Sequence, residues 1–474
     1  MEWSRLLSPR RIRKLAGGRD SVRGANETRG EIHRDYGRAV FSTPVRRLQD
    51  KAQVFPLEPI DAVRTRLTHS LEVSSMARGL ANGVGQLLAE KRAVTVEDAY
   101  DIETIAATCG LLHDIGNPPF GHFGEDAIRT WFESKQLGLP ESTHNFWSFD
   151  TTPTKRLQAD FLNFEGNAQT LRLLSKLQVL SDRNGLNLTA ATFSALCKYT
   201  AGSPEVLPKD KDGKQRGPQR LKKLGFFTSE QRVVDLVRDE TGTEDLRNPI
   251  SLLVEAADDM VYSVVDIEDA IKKGVVHWRC VKREILNSGI PLGKKLIKEA
   301  EKYMKESAFP FKPDTQQEGV AQYFRTFLMR DASKALQELF FAKYDQIMDG
   351  SYEGELLYDE GAGEAGKIYK LLKSLGPKLV YNAKEVLRLE MLGYRVIHSL
   401  LDTFWQATQS KKTKTFGEKA YALMSQNYRM IFEFPDADEQ KLPDQYRKMQ
   451  LVTDYICGMT DSYALNLNRE LTHG

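Results

Sequence analysis

Val73, Met76, Leu80, Val84 and Leu87 recur at steps of three and four residues, a spacing that lines one face of a helix and predicts an amphipathic helix over 73–88. Ile102, Ile105, Cys109 and Leu112 form a second stripe, and Gly116 with Pro118-Pro119 ends that helix. The stop places His113 and Asp114 on the last helical turn, facing a Gly/Pro-shaped loop that can present His122 and Glu125 to the same cavity. Residues 167–180 read as another helix, 203–217 as an exposed loop rich in Pro, Gly, Lys and Asp, and 248–273 as a long buried helix. Beyond Lys294 the pattern stays helical, with breaks near Phe309-Pro310 and in the glycine-rich 350–366, which lacks the Gly-Lys-Ser/Thr of a phosphate-binding P-loop. Strand signals are few and short. The expected fold class is therefore all-α, with room for one small hairpin.

Composition narrows this picture. The 474 residues are 41% hydrophobic and 28% charged, enough apolar material for a sizeable core in a soluble protein, and they show neither a repeat nor a low-complexity linker. No apolar run approaches a membrane-spanning length and no signal-peptide pattern opens the chain, so a cytoplasmic protein with no membrane partner is expected. Cys109, Cys197, Cys280 and Cys457 lie far apart without a Cys-x-x-Cys pair and read as buried small hydrophobes. The net charge of +2 conceals a basic start: the first fifty residues hold about twice as many Lys and Arg as Asp and Glu, among them Arg10, Arg11, Arg13, Lys14, Arg19 and Arg23. Two readings stand side by side for it, a solvated and partly mobile arm, or a contact surface for phosphates or a neighbouring subunit.

The chemistry concentrates in His113-Asp114-Ile115-Gly116-Asn117-Pro118-Pro119-Phe120-Gly121-His122-Phe123-Gly124-Glu125. An imidazole beside a carboxylate suits Mn, Fe, Co, Ni or Zn better than Ca. His69 opens the first amphipathic run, and Asp258 places a carboxylate inside an otherwise apolar helix, where burial is costly without a partner. Asp258, Tyr262 and Asp266 are spaced four and four and share one helix face. Glu268 and Asp269 read as a solvated face. His122, three residues before Glu125, could have its ring oriented and its basicity raised by that carboxylate, as a general acid or base requires. His33, His144, His277, His398 and His473 read as structural.

The ordered set His69, His113-Asp114, Asp258 resembles the metal signature of the HD-domain phosphohydrolases. Four further blocks, 46–57 (RRLQDKAQVFPL), 64–70 (RTRLTHS), 166–169 (GNAQ) and 454–461 (DYICGMTD), narrow the resemblance to the deoxyguanosine triphosphate triphosphohydrolases. It spans nearly the whole chain. The resemblance implies a mostly helical fold, divided as a basic N-terminal arm (1–35), an HD-domain catalytic core (36–290) and a helical C-terminal region (291–474) that completes the nucleotide pocket and makes oligomer contacts. It implies hydrolysis of dGTP, or another dNTP, to the deoxynucleoside and tripolyphosphate, with one divalent metal, Mn or Mg foremost, on His69, His113, Asp114 and Asp258. His122 and Glu125 would move the proton, as base or acid. Arg66, Lys222 and Lys223 would hold the triphosphate, Tyr262 and Asp266 the sugar, and Gln53 and Val54 the nucleoside. Tyr381 and Glu390 would take the base, a carboxylate being able to accept from guanine N1–H and N2 together. Lys198-Tyr199-Thr200-Ala201 begins like a family block and then runs into a polar insert. Family likeness also implies a homo-oligomer, a hexamer in many members, with a dNTP effector and single-stranded DNA as further candidate partners. The competing readings are an HD-type phosphodiesterase or 5′-nucleotidase acting on a monophosphate, and a nucleic-acid-binding protein with secondary catalysis. The basic arm lacks the aromatic interleaving of a stacking platform, which counts against the last.

Overall fold

Three of the long helices start at short polar side chains. The computed structural model describes residues 1–19, 27–58, 60–135, 154–178, 182–213, 215–409 and 415–473. Two one-turn helices, Trp3–Leu6 and Ile12–Leu15, precede α1 (Glu31–Val40). Thr65 accepts from the Thr68 amide while the Thr68 hydroxyl accepts from the Thr65 amide, a capping box that starts α2 (Arg66–Glu90). Thr95 and Asp98 do the same for α3 (Val96–Leu112). After α4 (His122–Ser134) come the short helices Gly166–Arg172, Ala190–Leu196 and Gln231–Thr241. Asn248 caps α5 (Pro249–Lys272). The second half adds α6 (Pro313–Ala342), α7 (Gly363–Gly376), α8 (Lys384–Gln409), α9 (Asp444–Cys457) and α10 (Asp461–His473). Among the described residues there is no strand, only three isolated bridges, so the all-α expectation holds and the hairpin does not form.

The apolar faces gather into two cores. In the first, α5 packs on α2, α3, α6 and α7, with Val73, Leu80, Ile105, Met260 and Phe324 inside. In the second, α8 packs on α4, α9 and α10 around Phe132, Phe161, Phe404 and Tyr446. The stripes on 73–88, 102–112 and 248–273 are the faces of α2, α3 and α5. No helix of the described residues is long and apolar enough to cross a membrane.

Several local expectations are corrected. α3 stops at Leu112, so His113 is its cap residue rather than part of its last turn. His122 and Glu125 sit on the first turn of α4, not on the loop. The helix expected over 167–180 widens into a π-type turn at Leu173–Leu177 and stops, and residues 179–181 lie outside the described residues. Glu268 and Asp269 are buried rather than solvated, because Arg64 reaches both and Arg325 reaches Glu268, a compensation that the local sequence could not show. Cys197 and Cys280 are partly exposed, while Cys109 and Cys457 are buried. At the basic start, Trp3 and Leu6 enter the core, Arg11 is buried against Asp35 and Glu31, and Arg10 and Arg13 pair with Glu240 and Asp182. Those residues are fastened to the body. Arg23 and His144 lie outside the described residues.

One buried ionic cluster joins the halves. Arg172 donates to both oxygens of Asp454 (2.8 and 2.7 Å) and to Glu230 (2.9 Å), and Lys176 to Glu439 (3.0 Å). Removing one partner strands a charge. Asp454→Ala is expected to lower the unfolding free energy by about 3–5 kcal/mol, checked by urea denaturation; a loss under about 1 kcal/mol would mean the pair contributes no more than an exposed one.

Candidate active site

The turn after α3 is shaped by crowding. A Cβ on Gly116 would lie 2.2 Å from the Gly166 carbonyl and the Thr170 amide, so only glycine lets helix Gly166–Arg172 press this close. Thr170 Oγ1 accepts from the Gly116 amide (3.0 Å) and donates to the His113 carbonyl (3.4 Å). The turn thus delivers His113 and Asp114 to one cavity. His69 comes from the first turn of α2 and Asp258 from the middle of α5. His69, His113 and Asp114 each offer a ligand atom within 4.8 Å of the others'. Asp258 Oδ1 closes the group, 3.1 Å from His69 Nε2 and 3.5 Å from His113 Nε2.

The donor chemistry fits a cation. His113 Nδ1 donates to the Gly110 carbonyl (2.7 Å), which leaves the lone pair on Nε2, and Nε2 has no hydrogen-bond partner. That lone pair faces Asp114 at 3.6 Å and Asp258 at 3.5 Å, an arrangement that repels unless a proton or a metal ion lies between. Burial alone would lower the His113 pKa, yet the two carboxylates reverse this and raise it to about 9. Burial likewise opposes ionisation of Asp114, but Arg66 and the histidines hold its carboxyl well below the usual range. Asn117 donates to the other Asp114 oxygen (2.7 Å), so the carboxylate is fixed from two sides.

A cavity of about 510 Å³ opens from this group where the two cores meet, with Phe120 on one side and Val254 and Val386 on the other. His122 lines it with its side chain 73% exposed, while Glu125 behind is 2% exposed. Their Nδ1···Oε2 distance is 3.1 Å, and Glu125 Oε1 accepts from the Gly166 amide (2.8 Å). The hydrogen bond to Glu125, and then its charge, raise the His122 pKa above the usual value, whereas Glu125 stays ionised although burial opposes it. Three lysines reach the lining from different elements: Lys198 lies 3.7 Å from Glu255, Lys223 lies 2.9 Å from Glu165, and Lys373 lies 3.6 Å from Asp259.

Of the residues singled out from sequence, His69, His113, Asp114, Asp258, His122, Gln53, Val54, Arg66, Lys223, Tyr262, Asp266 and Tyr381 all line this cavity, with Glu125 directly behind. Lys222 and Glu390 do not. Lys222 follows the one-turn helix Gln219–Leu221, and Glu390 stands part-buried on α8, one turn beyond Val386 of the lining. Arg66 is committed to Asp114 rather than free in the cavity. Asp266 Oδ2 accepts from the Tyr381 hydroxyl (2.7 Å), its Oδ1 is buried without a partner, and burial pushes its pKa up to about 6. Lys198 and Lys373 were missed as phosphate candidates. Lys198 had been visible in its family-like block; nothing local marks Lys373 on the amphipathic α7.

Fold and site together define an HD-domain phosphohydrolase, and the chain matches the HD domain over residues 66–150 and the phosphohydrolase-associated domain over 364–470. A deoxyguanosinetriphosphate triphosphohydrolase-like protein of Listeria innocua is 35% identical over 99% of both chains, and one of Synechocystis is 31% identical over the same share. A deoxyguanosinetriphosphate triphosphohydrolase of Klebsiella pneumoniae is 30% identical over 92% of both. The chain belongs to the deoxyguanosine triphosphate triphosphohydrolase family and is an enzyme, a hydrolase.

Because so small a ligand set cannot spare a member, single alanine variants of His69, His113, Asp114 and Asp258 are each expected to lose stoichiometric divalent metal in elemental analysis. Full metal content in Asp258→Ala would remove that residue from the set.

Proposed function

We propose that this enzyme hydrolyses dGTP to deoxyguanosine and tripolyphosphate by attack of water at the α-phosphorus, with His69, His113, Asp114 and Asp258 holding one divalent ion, Mn or Mg. The observation that carries this reading is the pairing, in one cavity, of the His/Asp group with three separate lysines. A monophosphate or a phosphodiester offers too few negative oxygens to use Lys198, Lys223 and Lys373 together, which argues against the phosphodiesterase and 5′-nucleotidase readings. The bound ion would supply Lewis acidity at the α-phosphate.

The chain's own groups do the rest. Glu125 takes Nδ1 of His122 and favours its protonated form, so His122 enters the reaction as an acid and gives its Nε2 proton to the 5′ oxygen as the Pα–O5′ bond breaks, while the proton shed by the attacking water passes to solvent. Lys198, Lys223 and Lys373 hold the β- and γ-phosphates. Asp266 keeps Oδ1 for the 3′-hydroxyl while Tyr381 occupies Oδ2. Tyr262, one turn from Asp258 on α5, fills the space that a 2′-hydroxyl would need.

The finer partners follow from the same reading: a homo-oligomer, a hexamer, with a regulatory dNTP or single-stranded DNA. A second cavity of about 740 Å³, lined by Arg10, Arg11, Arg13, Arg19 and Arg29, suits such a phosphate-bearing molecule. Several of its guanidinium groups are already paired, so a ligand there has to compete with Glu240 and Asp35.

Incubating the metal-loaded enzyme with each dNTP and separating the products tests the reading: tripolyphosphate from dGTP supports it, and orthophosphate or pyrophosphate contradicts it. His122→Ala is expected to keep its metal and lose on the order of a hundredfold in kcat. Since Glu125 raises the His122 pKa, Glu125→Gln should bring the alkaline fall of kcat to lower pH, because the acid form is then lost earlier as pH rises; an unmoved limb would place the proton elsewhere.

The sugar wall gives a separate test. Tyr262→Ala is expected to admit GTP to measurable turnover, whereas Asp266→Ala should mainly raise the KM for dGTP, by the roughly 1.5–3 kcal/mol of one charged hydrogen bond. Complete rejection of GTP by Tyr262→Ala would mean that another wall reads the sugar.

A further inference from the structure

The turn that carries His122 into the cavity is held from the far end of the chain. Phe120 has φ 64° and Gly121 φ 61°, a region that a phenylalanine rarely adopts. Glycine suits the second position twice over, since a Cβ there would also fall 2.4 Å from Arg66 Nη2. Gly121 is the cap residue of α4 and has no side chain with which to fix the helix start. The fixing group is Asp461, the first residue of α10, which is 1% exposed. Its Oδ1 accepts from the Phe120 amide (2.8 Å) and its Oδ2 from the Ala52 amide (2.9 Å). Ala52 directly precedes Gln53 and Val54 in another wall of the same cavity. Lys51 repeats the link, donating to the carbonyls of Asn117 (2.5 Å) and Cys457 (2.7 Å).

We propose that Asp461 is a positioning residue for the phosphohydrolase reaction: its two oxygens clamp the Phe120-Gly121 turn to the wall that bears Gln53 and Val54, and so set where the His122 imidazole stands. This rests on the proton-donating role given to His122 above. A carboxylate is required because two amides converge on one group and each needs an acceptor. Asparagine would present one oxygen and turn its own N–H toward the second amide, and a donor facing a donor opens the clamp. Asp461 then acts on the reaction through position, without touching the reacting atoms, in the same phosphohydrolase-associated region that sends Lys373 into the cavity lining.

The experiment compares Asp461→Asn with wild type, His122→Ala and the double variant, with metal content and kcat and KM for dGTP measured in each. Asp461→Asn is expected to keep its metal and to lose on the order of tenfold in kcat, the scale of a misplaced catalytic group, with a smaller change in KM. In the His122→Ala background the same substitution should change kcat by less than about twofold, because its route of action is already gone. An equal loss in both backgrounds, or an unchanged kcat in Asp461→Asn, overturns the proposal. Amide hydrogen exchange decides without any substrate: one of the two clamped amides, Phe120 or Ala52, should lose protection in Asp461→Asn while the amides of α9 keep theirs, and unchanged protection at both also overturns it. If wild type releases no tripolyphosphate from dGTP, the substrate reading fails while the exchange result still judges the clamp. Should Asp461→Asn not fold, Asp461→Ser, whose single short-armed oxygen cannot serve both amides, is judged by the same criteria.

Discussion

Asp114 and Asp258 are two carboxylates converging on the same pair of imidazoles inside a protein, and most of the surrounding structure serves to make that tolerable. Each carboxylate loses water on burial and repels the other. Arg66 and Asn117 hold Asp114 from one side, the histidines and Lys198 hold Asp258 from the other, and the Gly110 carbonyl turns the His113 lone pair inward. What remains is a group of nitrogen and oxygen donors with the geometry to accept a positive ion. The glycine at 116, the capping box at Thr65 and the insertion of helix Gly166–Arg172 all follow from the need to bring α2, the turn after α3 and α5 to one point.

The second consequence is that the candidate cavity belongs to neither core. Its floor comes from α2, the turn after α3 and α5, the His122–Glu125 pair from α4, and Lys373 and Tyr381 from α7 and the π-type turn after it. Charged seams hold these parts in register: Arg172 with Asp454, and Arg64 with Glu268 and Asp269. Buried ion pairs add little net stability compared with apolar packing, but they are selective about partner and distance. That selectivity suits a site assembled from segments hundreds of residues apart.

How far the sequence could be read follows from the range of each interaction. Helices with a clear 3.6-residue period, such as α2 and α5, were legible because their burial pattern is local. His69, His113, Asp114 and Asp258 were marked by the family resemblance, Asp258 also by its place on an otherwise apolar helix, and the structure brings all four together. The end of α3 and the start of α4 were displaced by a residue or more, because the cap geometry depends on Thr170 and Asp461, far along the chain. Glu268 and Asp269 were misread for the same reason: their partner arginines stand at positions 64 and 325. Lys373 could not be distinguished from any exposed lysine on a helix until α7 was seen to pack on α5.

The proposed reaction breaks the Pα–O5′ bond and leaves the triphosphate whole. Hydrolysis of dGTP by the metal-loaded enzyme in ¹⁸O-labelled water, followed by mass spectrometry of both products, tests it most directly. Attack at the α-phosphorus with protonation of the 5′ oxygen places one ¹⁸O in tripolyphosphate and none in deoxyguanosine. Label in the 5′-hydroxyl of deoxyguanosine, or label in released orthophosphate with no tripolyphosphate formed, would contradict the account.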